Sequence, residues 1–257
     1  MDKTEQRKQY WFVIRELTSR EIKRKYSRSK LGIVWSVLNP LLTMTVMSMI
    51  FSYMFKRSIE HYPVYYLCGS ILWNLFTGST NSAMTSLVDN RLMLIKVKFP
   101  MQIFILARVY TAVVNFLYSS IAFVAVVCVF RIFPTPMWLF IPVVVFLLTV
   151  FALGIAYILA TAYVFFGDVK HLYSVLLTLW LYMSAIFYPI EQLPDFLQKV
   201  IRFNPIYNYI DCLRSLVLHA SMPTGTEIIK IIIWAASSYF IGHMIFQMNR
   251  NQIMQKL

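Results

Sequence analysis

Apolar residues fall along this chain in long blocks divided by short charged stretches, the pattern of a protein threaded repeatedly through a membrane. Blocks at about residues 31–55, 62–88, 103–130, 137–166, 172–188 and 228–248 approach or exceed the roughly 20 residues that a helical span requires, and they predict six spans. The first carries Asn39-Pro40 as a kink near its cytosolic end, and the fifth is the shortest, closing at Pro189. Two stretches follow a different rhythm. Between Lys8 and Leu17, the residues Tyr10, Val13, Ile14 and Leu17 share one helical stripe with Arg7, Lys8, Arg15 and Arg20 outside it, which places this helix on a membrane surface. In 191–222, Leu193, Phe196, Leu197, Val200 and Ile201 recur at helical spacing, Asn204-Pro205 breaks the pattern, and Ile206 to Leu218 forms a second short helix with Asp211 and Arg214 one turn apart. Neither piece is long and apolar enough to cross alone, so both are expected as re-entrant or surface helices. The expected fold is therefore an all-α polytopic membrane protein with six transmembrane helices. An N-terminal amphipathic interface helix precedes them, and two short helices sit at the outer face between the fifth and sixth spans. Residues 1–30 form a cytosolic interface helix and basic segment, and 31–257 a single transmembrane domain.

Charge sets the orientation. Arg20, Lys23, Arg24, Lys25, Arg28 and Lys30 crowd just before the first span, Arg91, Lys96 and Lys98 lie between the second and third, Lys170 between the fourth and fifth, and Arg250 and Lys256 close the chain. The opposite side holds only Lys56, Arg57, Arg131, Lys199, Arg202, Arg214 and Lys230, so both termini are expected in the cytosol. Composition agrees, with 59% hydrophobic and 14% charged residues and a mean hydropathy of +0.62. A formal net charge of +13 would also suit a nucleic-acid binder, but in a membrane protein it reports topology and attraction to anionic lipids, so membrane lipids and no nucleic acid are expected as partners. Cys68, Cys128 and Cys212 are scattered without metal or disulfide spacing. The start of the chain is too polar for a signal peptide, and the first span is expected to direct insertion.

The acidic residues avoid the middle of every predicted span, so no proton relay or coupling-ion site is visible, and no GxxxxGK[ST] phosphate loop occurs. An engine for transport would have to sit in another chain. His61, His171, His219 and His243 lack metalloprotease spacing, which leaves an enzyme without recognisable catalytic groups. Two stretches suit contact with a partner or cargo. The loop DNRLMLIKVKFP, Asp89 to Pro100, is more apolar than a tether needs, which fits an interfacial turn or a docking site. Aromatic rings on the first, second and fifth spans fit interfacial belts, while Trp73 and Trp180 lie deeper and suit a wall along which sugar rings slide. Small and hydroxyl residues on the second span, from Gly69 to Ser82, suit either close packing or a polar pore wall, and Ala152, Gly154, Ala156 and Ala160 on the fourth look like a close-packing face.

RKYSRSKLGIVWSVLNPLL at Arg24 to Leu42, NRLMLIKVKFP at Asn90 to Pro100, FFGDVKH at Phe165 to His171, and the YPIEQLP and FNPIYNYIDCLR elements between Tyr188 and Arg214 appear in order over nearly the whole chain. Together they resemble the membrane-spanning subunit of ABC-type polysaccharide exporters, the ABC-2 family of O-antigen, capsule and teichoic-acid permeases. The resemblance implies a homodimer in the bacterial cytoplasmic (inner) membrane, seated on two copies of a nucleotide-binding ATPase subunit that binds ATP and Mg, with no cofactor in this chain. It implies a lipid-linked polysaccharide as cargo, on an undecaprenyl diphosphate carrier. It makes Leu31 and Gly32 the motif that enters the first span and 89–100 the coupling helix. The ATPase-coupling residues are then Asp89, Asn90, Arg91, Leu92, Leu94, Ile95 and Lys96, with Asp168 and Lys170 from the second cytosolic turn, where Gly167 replaces the arginine of many relatives. Trp35, Trp73, Phe76, Trp180 and Phe187 become candidates for the channel wall. Arg24, Lys25 and Arg28 become candidates for the diphosphate or a lipid headgroup, as against a plain lipid anchor. An exporter of drugs or simple lipids and a membrane enzyme acting on lipid-linked sugar are the alternatives.

Overall fold

The computed structural model describes residues 3–54, 59, 61–96 and 99–257, and among them every regular element is a helix. Lys56, Arg57 and Glu60 of the first external turn, and Val97 and Lys98 of the central loop, lie outside the described residues, as does the side chain of Tyr53. Four helices are long and apolar enough to cross a membrane: Gly32–Phe51, Gln102–Val129, Pro136–Phe165 and Gly225–Met248. The six expected spans map onto α2 (Trp35–Met54), α3 (Tyr62–Met84), α6 (Gln102–Val129), α7 (Ile141–Phe165), α8 (Val169–Tyr182) and α11 (Gly225–Met248). Two of these depart from a simple span. The 23 residues of α3 give about 35 Å of helix, enough to cross, but its amide and hydroxyl side chains lower its apolarity. The 14 residues of α8 give about 21 Å, short of the roughly 30 Å of a hydrocarbon core, and the chain then turns irregularly from 183 to 189.

α3 is the central post. It packs against α2, α6, α7, α8 and α10, and Leu67, Cys68, Leu72 and Phe76 along it are fully enclosed. The amphipathic stripe at the start of the chain is half-buried as expected, but the helix that carries it, α1 (Lys3–Tyr26), also takes in most of the basic segment and lies across the start of α6. The corner from α1 into α2 is made by Gly32, whose φ of +50° is open to glycine and costly for other residues, with Ser29 accepting its N–H at 3.1 Å. Pro40 sits inside α2 without ending it.

At one end of the molecule Leu17 of α1, Phe104 of α6, Phe165 of α7 and Phe246 of α11 share an apolar cluster with Leu94 of α5 (Arg91–Lys96) and Ile253 of α12 (Arg250–Lys256). Both chain ends and the central loop thus meet at the basic end. At the other end, α9 (Asp195–Phe203) lies with Phe196 and Phe203 exposed, whereas α10 (Pro205–Val217) is buried along nearly its whole length between α3, α7 and α11. Of the pair expected at the outer face, the first is a surface helix and the second is re-entrant in character.

The tightest seam joins α7 to α11. A Cβ added at Gly154 would stand 2.3 Å from the Ser238 carbonyl carbon, and one at Gly242 would stand 2.1 Å from the Gly154 carbonyl oxygen. The small-residue face of the fourth span is a backbone-to-backbone contact, sealed by Ser238 Oγ donating to the Phe151 carbonyl at 2.9 Å. Gly242→Val is expected to destabilise the protein by more than about 3 kcal/mol in a detergent-solubilised thermal melt, because backbone cannot yield as a side chain can. Gly167→Ala, with open space around the new methyl, should leave the melt within about 0.5 kcal/mol.

Candidate functional site

The central loop does not form one helix over 89–100. Asp89 ends the single turn α4 (Ser86–Asp89), Asn90 is a buried hinge, and α5 covers only Arg91 to Lys96. Leu94 anchors α5 in the core, which leaves Leu92 and Ile95 at 67% and 65% exposure beside exposed Arg91 and Lys96. Asn90 faces inward, donating to the Ser86 carbonyl at 2.8 Å and accepting from Arg20 at 2.9 Å. Asp89 accepts from Thr85 Oγ1 at 2.8 Å and from Arg108 Nη2 at 3.0 Å. Of the seven coupling residues proposed on this loop, four face outward and three hold the loop in place. Asp168 and Lys170 are exposed in the turn between α7 and α8.

Arg108 of α6 is held on two sides. Its other guanidinium nitrogen donates to Glu21 Oε2 at 2.7 Å, so one side chain bonds α1, α6 and α4 together. Thr18 donates to the Ala107 carbonyl beside it. The signal was present in the sequence, as one arginine in an apolar run with Asp89 on the segment before it and Glu21 ahead of the first span.

Arg108 also borders a cleft of about 660 Å³ enclosed by α1, α2, α3 and α6. Glu21, Arg24, Lys25 and Tyr26 line it at the basic end of the molecule, and Asn74, Gly78 and Ser82 line it along α3. On α6 the lining runs through Thr111, Asn115 and Ser119, and on α2 it comprises Trp35, Ser36, Asn39 and Pro40. Lys25 Nζ donates to Asn115 Oδ1 at 3.3 Å. Ser119 donates to the Ser36 carbonyl at 3.2 Å. Arg24 and Lys25, both proposed for a headgroup, reach this cleft; Arg28 does not line it.

The aromatic candidates divide. Trp35 is 45% exposed at the mouth of the cleft. Phe76 is wholly enclosed and Trp73 nearly so, and Phe76 packs edge-on to Trp180 with centroids 5.2 Å apart. Trp180 donates its ring N–H to Asn204 Oδ1 at 2.8 Å, and Phe187 stacks on Phe51 and Tyr66. Trp73 and Phe76 are therefore packed into the core of the protomer, and Trp180 is a half-buried tether beside them.

The tether matters because the chain leaves α8 inside the protein. Asn204 accepts from the Ile206 N–H, capping α10, and donates to the Met183 carbonyl at 2.9 Å and Ser184 Oγ at 3.2 Å. Arg214 does not pair with Asp211 as one-turn spacing suggested. It turns to the carbonyls of Ala185 at 3.0 Å and Ile186 at 3.1 Å, with its guanidinium carbon 3.5 Å from the centre of the Tyr65 ring. Ala185 has a φ of +48°, and this clamp holds it there.

The ABC-2 type transporter family profile matches residues 13–218, which spans every element of this arrangement from α1 to the end of α10. The chain belongs to the ABC-2 type transporter family. Similar proteins include the O-antigen export system permease protein RfbA of Myxococcus xanthus, 30% identical over 90% of this chain and 92% of its own. A protein of the same name from Klebsiella pneumoniae is 27% identical over 88% and 85%, and the polysialic acid transport protein KpsM of Escherichia coli is 20% identical over 91% and 92%. In this ABC-2 chain the arginine clamp has a direct test. Arg214→Met keeps the bulk but removes the guanidinium bonds to the Ala185 and Ile186 carbonyls, leaving Ala185 only the longer Tyr65 hydroxyl bond, and should lower stability by roughly 2–3 kcal/mol in a thermal melt.

Proposed function

We propose that the chain is the permease subunit of an ATP-driven exporter that moves a lipid-linked polysaccharide of the O-antigen, capsule or teichoic-acid type across the bacterial cytoplasmic membrane. The observation that carries this reading is α5. A short helix, rigidly mounted through Leu94, presents Leu92 and Ile95 with Arg91 and Lys96 at the basic end of the molecule. Large apolar side chains so exposed on a cytosolic turn suit a protein partner, and similarity to polysaccharide-export permeases over nine-tenths of the chain agrees. The partner is a nucleotide-binding ATPase, two copies of which hold ATP and Mg. The excess of Lys and Arg at this end supports cytosolic termini.

Two protomers form the channel. α2 and the short α8 support this reading, since each is packed on one side only and leaves apolar residues such as Val46, Met49, Leu172 and Leu179 exposed. A second copy against these faces would enclose α8, and α3 and α8 with its irregular extension would complete six crossings. In such an assembly Trp35 and Phe187 are the aromatic candidates best placed to meet a passing glycan, and the carrier is undecaprenyl diphosphate.

Co-purification from native membrane is the test. The tagged chain is expected to bring down a stoichiometric ATPase, and the Leu92→Asp, Ile95→Asp double variant to lose it at least tenfold while remaining membrane-inserted and folded. An ATPase retained by the variant would contradict the coupling role of α5, and a chain that transports alone would overturn the reading.

A further inference from the structure

Three cations crowd one cavity at the end of the molecule where α11 begins. Lys199 and Arg202 of α9 and Lys230 of α11 line a space of about 510 Å³ that also takes in the rings of Phe203 and Trp234. Residues 199, 202 and 203 share one face of α9, and 230, 233 and 234 share one face of α11, so helical spacing turns both stripes to the same space. Among the described residues, none of the three cations enters an ion pair or donates a side-chain hydrogen bond. Glu227, one turn before Lys230, is occupied by the Thr224 N–H at 2.8 Å. Like charges around one cavity repel unless an anion sits among them. Lys230 lies about 8 Å along α11 from Gly225 and Trp234 one turn deeper, the order in which headgroup cations and interfacial aromatics follow one another in a membrane. Deeper again, Ile233 and Phe240 stand two turns apart on the same face, 59% and 69% exposed. Charge at the mouth and an open apolar stripe below fit a phosphate that carries acyl chains, and the lining has too few amides and hydroxyls for a glycan.

We propose that this cavity holds a resident anionic phospholipid of the outer leaflet, with Lys199, Arg202 and Lys230 on its phosphate and an acyl chain along Ile233 and Phe240. The lipid acts as a tie. α9 leans on α11 through a single edge-on pair of rings, Phe203 and Trp234, with centroids 5.3 Å apart. A phosphate bonded from both helices adds charge-assisted bonds beside that pair and fixes the surface helix against the last span. The proposal goes beyond the export reading and takes from it only the leaflet that supplies the lipid.

The test places the full-length chain in phosphatidylcholine nanodiscs doped with brominated phosphatidylglycerol or brominated phosphatidylcholine. Quenching of Trp234, taken as the part of the emission lost in Trp234→Phe, reports occupancy, and amide hydrogen exchange reports the tie. Brominated phosphatidylglycerol is expected to quench Trp234 at about a tenth of the share that brominated phosphatidylcholine needs, and phosphatidylglycerol to slow exchange in 195–203. The Lys199→Gln, Arg202→Gln, Lys230→Gln variant should lose both effects, and Arg131→Gln, at the same end of the molecule but outside the cavity, should keep them. If the triple variant does not insert, Arg202→Gln alone decides, with a preference reduced at least threefold. Equal quenching by the two lipids, or a preference kept by the cavity variants, would overturn the site, and unchanged exchange in 195–203 would overturn the tie. Glycerol phosphate displacing the brominated lipid would assign the cavity to a free anion, and farnesyl diphosphate displacing it at a tenth of its concentration would assign it to the carrier of the cargo; either result contradicts a resident phospholipid. Neither readout involves transport, so a chain that exports polysaccharide without lipid preference defeats this proposal alone, and one that shows the preference but exports none defeats the export reading alone.

Discussion

A guanidinium at the end of an apolar span must find partners or leave the hydrocarbon, and the solution adopted by Arg108 organises the basic end of this protein. With 9% exposure, it answers Glu21 on α1 and Asp89 at the end of α4 at once. The Glu21 contact is enclosed on both sides, and breaking it would strand a charge at a cost of several kcal/mol, whereas Asp89 is open to solvent and adds a weaker tie. Arg20 to Asn90 and Thr18 to Ala107 add smaller ties along the same seam.

A second constraint operates at the outer face. α8 stops about halfway, and the irregular stretch 183–188 that follows leaves its carbonyls without helical partners. Arg214, Asn204, Tyr62 and Tyr65 satisfy them one by one, with the two tyrosine hydroxyls donating to the Phe187 and Tyr188 carbonyls at 2.9 and 2.8 Å. Such a loop can be both irregular and fixed. The α7–α11 seam gives it a rigid wall, since backbones in contact through Gly154 and Gly242 cannot slide.

The helices were legible because their cause is periodic and local. Bounds of the third and last spans fall within three residues of α6 and α11, and the break at Asn204-Pro205 and the close-packing face around Gly154 follow from residue chemistry alone. What failed was pairing across space. Asp211 and Arg214 lie one turn apart on α10, but the guanidinium is aimed at the Ala185 and Ile186 carbonyls of a segment distant in sequence. Helical faces do not reveal which way a neighbour lies, and the rings of Trp73 and Phe76 are enclosed in the core of the protomer while Trp180 is half-buried beside them. The cleft escaped notice because its asparagines and cations are spread over four helices. A mid-span amide is a weak sign alone, and Asn74 was read only as a packing or pore residue.

Export of a polysaccharide through this subunit is tested most directly by the distribution of that polymer in cells with the chain deleted. Lipid-linked polysaccharide is predicted to accumulate on the cytosolic side of the membrane, to vanish from the cell surface, and to return to the surface on complementation with the wild-type chain. Unchanged surface polysaccharide in the deletion, with no polymer retained inside, would contradict it.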